Sequence, residues 1–121
     1  FNWNEEDVLD LAAEMVIGYG LHVHPTVIPS AFFLSQNYPN PFNPYTNIRY
    51  DIPKNVFLNI SIYDMMGKMI NNIVNQHQNP GHFSVVWDGK NTKGENVAAG
   101  LYIYMIDAGD FRQTKKMILL K

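Results

Sequence analysis

Between Thr46 and Tyr63 the chain alternates apolar and polar residues in two successive runs separated by a proline, a pattern that admits strands and rejects helices. Ile48, Tyr50 and Ile52 oppose Asn47, Arg49 and Asp51, and Pro53 ends the first run. Val56, Leu58, Ile60 and Ile62 then share a face that must point into a core, with Asn59 and Ser61 on the other. Further strand-like runs arrive at short intervals. Gly67 to Val74 follows a turn at Asp64 to Gly67, and His82 to Trp87 follows Asn79-Pro80-Gly81, with Phe83, Val85 and Trp87 on one face. Gly100 to Ala108 carries alternating aromatics, and Gly109-Asp110 turns the chain into Phe111 to Leu120.

With Phe32 to Gln36 as the first run, these give about seven strands, the number an immunoglobulin-like antiparallel β-sandwich uses. The expected fold class is therefore all-β, with a structural core at Ile48, Tyr50, Leu58, Ile60, Ile62, Trp87, Tyr102 and Tyr104. The 121 residues allow one such domain and a short appendage. No cysteine is available for a disulfide or a thiol nucleophile, so packing and backbone pairing must hold the fold. A formal net charge of −2 gives no basic field for nucleic acid and no polybasic segment for an anionic membrane. The longest apolar stretches, near Leu101 to Ile106 and Met117 to Leu120, are far below the ~20 residues of a membrane helix.

Ahead of the linker, with the domain boundary placed near Ser30, the period is helical. Asn4 reads as an N-cap, and Glu5, Glu6 and Asp7 sit where the helix dipole favours negative charge. Val8, Leu11, Ala12, Met15 and Val16 form a stripe opposite Asp10 and Glu14, and Gly18 and Gly20 stop it. Residues 1–20 are thus assigned to a helix that leans either on the sandwich or on an upstream domain, the second being preferred. Residues 21–31, with Pro25 and Pro29, are an extended linker, and residues 32–121 form the sandwich. The chain opens on Phe1 with no basic region and no apolar leader, and reads as a piece of a longer protein. Asn4 to Val16 also resembles the second half of a dockerin-like repeat, with no calcium loop before it.

Two segments stand out as recognition candidates. The loop Tyr38, Pro39, Asn40, Pro41, Phe42, Asn43, Pro44 is stiffened by prolines, which keep a surface ordered at little entropic cost. Its other reading is that Tyr38 and Phe42 pack over one end of the sandwich while the prolines shape a corner. The tail Lys115, Lys116, Met117, Ile118, Leu119, Leu120, Lys121 can act by sheet addition, with its lysines read by an acidic surface. Equally, its lysines can discourage edge pairing on a closing strand.

Catalytic and metal chemistry finds little footing. His22 and His24 share one side of an extended segment but have no third ligand nearby, and His77 and His82 are remote. Asp88, Lys90, Asn91, Thr92, Gly94 and Glu95 imitate a calcium loop, yet lysines occupy ligand positions, so a tight polar hairpin is expected. No serine lies in a nucleophile elbow. Trp87, Tyr102 and Tyr104 could stack on sugar, but such alternation more often fills a core. No enzyme activity, cofactor or metal is expected.

The run Leu34 to Pro44 followed by Thr46-Asn47-Ile48-Arg49-Tyr50 resembles the opening of the type A C-terminal sorting domain of the type IX secretion system. Tyr63-Asp64-Met65-Met66-Gly67-Lys68, Gly81-His82 to Trp87-Asp88-Gly89, Gly94 to Tyr102 and Lys116 to Lys121 match that family's later blocks in order. Tyr45 stands where the family usually has a small residue. The middle blocks also resemble the immunoglobulin-like domain of the flagellar hook-capping protein. The first resemblance implies a non-catalytic sorting signal. Its partners would be the upstream cargo domain, the type IX translocon and shuttle proteins, and a surface sortase. In the family that it resembles, such a sortase usually removes the domain, here expected near the linker, and joins the cargo to an anionic lipopolysaccharide. The location implied is secreted or cell surface, through the periplasm and outer membrane of a Gram-negative bacterium. The alternative is an immunoglobulin-like structural or adhesive module that stays on the mature protein and binds carbohydrate or protein.

Overall fold

A computed structural model describes residues 28–121. The expected helix at 1–20 and most of the linker lie outside the described residues. Seven strands form: β1 (Phe33–Leu34), β2 (Thr46–Ile52), β3 (Val56–Tyr63), β4 (Met69–Gln78), β5 (Gly81–Trp87), β6 (Gly100–Ala108) and β7 (Phe111–Leu119). They make a three-stranded sheet in the order β1-β2-β5 and a four-stranded sheet in the order β4-β3-β6-β7, every pairing antiparallel. The fold is the all-β, immunoglobulin-like sandwich. Among the described residues no helix is long and apolar enough to cross a membrane.

The alternation in β2 and β3 becomes burial directly. Ile48, Tyr50 and Ile52 of one sheet face Leu58, Ile60 and Ile62 of the other, all of them closed to solvent. Tyr104, Ile106 and Ala108 from β6 and Met117 and Leu119 from β7 complete the four-stranded side of the core. Trp87 fills the end of the sandwich, edge-on to Tyr102 with ring centroids 5.4 Å apart, and its Nε1–H donates to Lys90 O at 2.9 Å. Burial of Trp87, Tyr102 and Tyr104 removes them as a sugar-stacking platform.

Two strands differ in length from the sequence expectation. The first run was expected over Phe32 to Gln36 but pairs only at Phe33 and Leu34. Beyond Leu34 a side chain joins the ladder: Ser35 N–H donates to Arg49 O at 2.8 Å while Ser35 Oγ accepts Arg49 N–H at 2.9 Å. The run expected to end at Val74 instead continues to Gln78, because Asn75 to Gln78 keep pairing with β3 despite their polarity. That polarity suits an edge strand. The register of β3 against β4 shifts twice, between Ile60 and Ser61 and between Ile62 and Tyr63. Asn72 closes the first irregularity by donating from Nδ2 to Asn59 Oδ1 and to Ser61 Oγ, both at 2.9 Å. Ser61, expected on the solvent face, is consequently buried.

Candidate functional site

The proline loop does not stand away from the sandwich; it lies along the outer edge of β7. Backbone alternation turns the N–H and C=O of Ile118 and the N–H of Leu120 away from β6, and the loop takes them up. Phe42 N–H donates to Ile118 O at 3.0 Å, and Leu120 N–H donates to Phe42 O at 2.8 Å. Ile118 N–H donates to Asn40 Oδ1 at 3.0 Å, and Gln36 Nε2 donates to Lys116 O at 2.6 Å. Phe42 thereby forms a parallel bridge with Leu119 and acts as a one-residue strand. The two recognition candidates, 78 residues apart in the chain at Asn40 and Ile118, are one contiguous surface.

Phe42 is the anchor. Its ring is buried against Trp87, with centroids 5.7 Å apart and planes at 58°. The start of the loop is held from inside by a small polar cluster. Asn37 Nδ2 donates to Thr46 Oγ1 at 2.9 Å and to Pro39 O at 3.2 Å, while Thr46 Oγ1 donates to Pro39 O at 2.8 Å. Asn37 and Thr46 are both buried, so these bonds satisfy groups that water cannot reach. Tyr38 and Asn47 exchange main-chain bonds of 2.9 Å in each direction. Tyr104 Oη–H reaches across to donate to Ser35 O at 2.6 Å, and burial pushes its phenol pKa up to about 12. Burial likewise raises the phenols of Tyr50 and Tyr102, with the Asp64 carboxylate adding to the rise at Tyr102.

The candidate residues divide by exposure. Tyr38, at 79% exposed, Pro39, Asn40, Pro41, Asn43 and Pro44 are presented to solvent, as are Lys116, Ile118, Leu120 and Lys121. Lys115 is half-buried. Phe42, Met117 and Leu119 point into the core, so a partner of the folded domain does not touch their side chains. Sheet addition cannot run along all of β7 while the loop is in place: Gln36 takes Lys116 O and the loop takes the edge from Ile118 onward, leaving the edge open, among the described residues, only between Arg112 and Thr114. Residues 36, 37 and 46 were missed as parts of this assembly. An Asn and a Thr flanking a proline-rich run signal side-chain bonding to loop carbonyls, but only the fold shows which carbonyls.

Next to the loop, on the outer face of β1-β2-β5, a shallow groove of about 450 Å³ is lined by Phe33, Tyr38, Asn47, Arg49 and Ser84 together with Ser35 and Gln36. Phe33 and Tyr38 present aromatic surface there, and the Arg49 guanidinium has no ion-pair partner among the described residues. The Asp88 to Glu95 segment is a polar turn. Asn91 Oδ1 accepts Lys93 N–H at 2.9 Å and Glu95 N–H at 3.0 Å, so backbone amides occupy an oxygen that a cation would need. His82 Nδ1 lies 2.7 Å from Asp51 Oδ1 as an isolated surface pair. Among the described residues no group of three or more potential metal ligands converges.

The profile of the FlgD Ig-like domain matches residues 45–110. No curated protein matches the chain. Among solved structures, dimeric latent PorU from Porphyromonas gingivalis is similar at 19% identity over 82% of this chain and 10% of its own, with a TM-score of 0.59. PorZ, described as an essential surface component of the type-IX secretion system of the same bacterium, is similar at 16% identity over 75% of this chain and 12% of its own, with a TM-score of 0.52. FlgD from Xanthomonas campestris, studied for hook capping in flagellar assembly, is similar at 22% identity over 75% of this chain and 63% of its own, with a TM-score of 0.50. The chain thus spans about a tenth of PorU and PorZ. At these identities the likeness is one of fold.

Proposed function

We propose that this immunoglobulin-like sandwich, which belongs to the FlgD Ig-like domain family, is a non-catalytic C-terminal sorting signal. It directs an upstream cargo protein through the type IX secretion system to the outer membrane and cell surface. The observation that carries the reading is the joining of the proline loop to the last strand. Both segments that resemble sorting-domain blocks end on one surface, where Tyr38, Pro39, Pro41, Asn43, Ile118, Leu120 and Lys121 are available together. A receptor reading that surface reads a folded domain, because the loop reaches β7 only once the sandwich has closed. The fold likeness to PorZ, a surface component of that system, is in keeping with this reading.

The geometry dictates the test. Deleting the last strand is uninformative, since Met117 and Leu119 are core residues and their loss unfolds the domain. Exposed positions must be altered instead. A cargo reporter carrying the full chain is followed to the surface of a bacterium with this secretion route, with Tyr38→Ala, Leu120→Ser and Lys121→Glu combined. Retention in the periplasm of a variant that keeps wild-type stability supports the sorting role. Undiminished export sinks the composite surface as its signal.

A retained adhesive module is favoured by one observation, the groove with Phe33, Tyr38 and Arg49, whose aromatic faces and guanidinium suit a sugar bearing an acidic group. In that case the domain stays on the secreted protein, and Tyr38→Ala abolishes glycan binding without affecting export.

A further inference from the structure

Four strands end the two sheets, β1 and β5 on one and β4 and β7 on the other, and three of them carry a guard against further pairing. β1 pairs over two residues only and lies between Pro29 and Pro39. β7 is covered from Lys116 onward by Gln36 and the proline loop, and it brings Arg112 and Lys115 to its remainder. β4 is broken by two register shifts, its Ile70 O accepts Thr92 N–H at 3.2 Å, and its Asn71 Nδ2 donates to Lys90 O at 2.8 Å. β5 has none of these. Its seven residues include no lysine, arginine, carboxylate or proline, and its register against β2 runs unbroken from Gly81 opposite Ile52 to Trp87 opposite Thr46.

Main-chain alternation fixes which groups that edge presents. Asn47 and Arg49 of β2 bond to Tyr38 and Ser35 on the β1 side. Thr46, Ile48, Tyr50 and Ile52 therefore turn toward β5, where they meet Trp87, Val85, Phe83 and Gly81. The N–H and C=O groups of His82, Ser84 and Val86 are left pointing outward, and no bond among the described residues takes them. The side chains beside them are also incompletely covered. Phe83 and Val85 face the core yet stay half-buried at this edge, and Val86 is 52% exposed.

We infer that β5 is a self-association edge: it pairs antiparallel with β5 of a second copy about a two-fold axis at Ser84, joining the two three-stranded sheets into one. The strand's own sequence selects that occupant and that register. With Ser84 opposite its copy, His82 lies opposite Val86 of the second copy, and every outward N–H and C=O finds a partner at once. Moving the centre to Phe83 leaves Val86 facing Pro80, which has no N–H, and moving it to Val85 carries His82 past the strand end to Asp88. In the Ser84 register Phe83 lies against Val85 of the second copy, so each covers the other's half-open side. No like charges meet. His82 is already paired with Asp51, and Arg49 stands three strand spacings, about 14 Å, from Arg49 of the second copy, beyond the screening length of about 8 Å at physiological salt. The proline loop borders β1 and β7, at the edge opposite β5, so the inference does not rest on the sorting role.

Sedimentation equilibrium of the full chain, followed up to about 1 mM, should show a reversible monomer–dimer equilibrium and no larger species, because a two-fold contact closes at two copies. Ser84 is exposed and faces its own copy. Ser84→Lys and Ser84→Glu each set like charges against one another there and should weaken association at least about tenfold, with circular dichroism checking that each keeps its fold. Mixing the two variants sets opposite charges at the same point and should restore association to within about threefold of the wild type. A chain that stays monomeric throughout, a dimer indifferent to Ser84→Lys, or variants that fail to rescue one another overturns the inference. A second measurement needs only the wild-type chain. Amide exchange at His82, Ser84 and Val86 should slow at least about tenfold from the monomeric to the dimeric end of the titration. Exchange at those amides that does not depend on concentration, whether fast or slow, also overturns it.

Discussion

Truncating Phe42 isolates the contact that ties the proline loop to the last strand. Its ring is 2% exposed and packs on Trp87, while its main chain bonds to Ile118 and Leu120. A buried phenylalanine withdraws about 150–250 Å² from water, worth about 4–6 kcal/mol at ~25 cal/mol per Å². Residual burial in the unfolded chain trims this by about 10–40%. Phe42→Ala should therefore cost about 2–5 kcal/mol, in line with the ordinary range for such truncations. Urea unfolding followed by tryptophan fluorescence measures it, with Tyr38→Ala as the comparison. Tyr38 is exposed, and its removal should change stability by no more than about 0.5 kcal/mol. Amide hydrogen exchange supplies the second readout. Leu120 and Ile118 N–H, whose acceptors are Phe42 O and Asn40 Oδ1, should lose protection beyond the global change, while the Tyr104 amide follows the global change alone. A cost below about 1 kcal/mol, or unaltered relative protection at Leu120, would refute the assignment of Phe42 as the anchor.

Other expectations follow from the same contacts. The Tyr104 phenol has a pKa of about 12 when folded against an ordinary 10.0. The unfolded chain loses that proton first as pH rises, so the stability Tyr104 carries is complete below pH 10 and disappears between 10 and 12. The loss amounts to about 3 kcal/mol over that window; alkaline unfolding of Tyr104→Phe should show a shallower decline. Gly89 sits at φ +72° with its missing Cβ 3.3 Å from Pro44 O. Gly89→Ala should cost about 1–2 kcal/mol by thermal unfolding. Asn72→Ala leaves Ser61 Oγ without its donor, while Asn59 Oδ1 keeps the Ser61 hydroxyl, and should cost about 1–3 kcal/mol in the same assay. Asp51→Asn, by contrast, removes an exposed partner of His82 and should cost no more than about 1 kcal/mol.

Much of this protein was legible without coordinates because a period of two leaves little choice. In β2 and β3 every second residue is apolar, and each such residue from Ile48 to Ile62 other than Val56 is fully buried. The turns at Asp64 to Lys68 and at Gly109 are likewise written in local chemistry, in an aspartate that accepts two backbone amides and a glycine at φ +62°. Strand ends were less legible. Ser35 replaces a main-chain partner with its hydroxyl, and Asn75 to Gln78 pair although no apolar residue marks them.

The sequence by itself determined the strand content, the identity of the core and the presence of two unusual segments, because those depend on alternation, composition and turn residues within a few positions of one another. Tertiary structure alone decided that the segments meet, that Phe42, Met117 and Leu119 serve the core while their neighbours face solvent, and that Met69, Tyr63, Ile103 and Lys116 share one row. Those outcomes depend on which strands pair and in what register. Register is set by the collective burial of both sheets, and a shift of a single residue would send every one of these side chains to the opposite face.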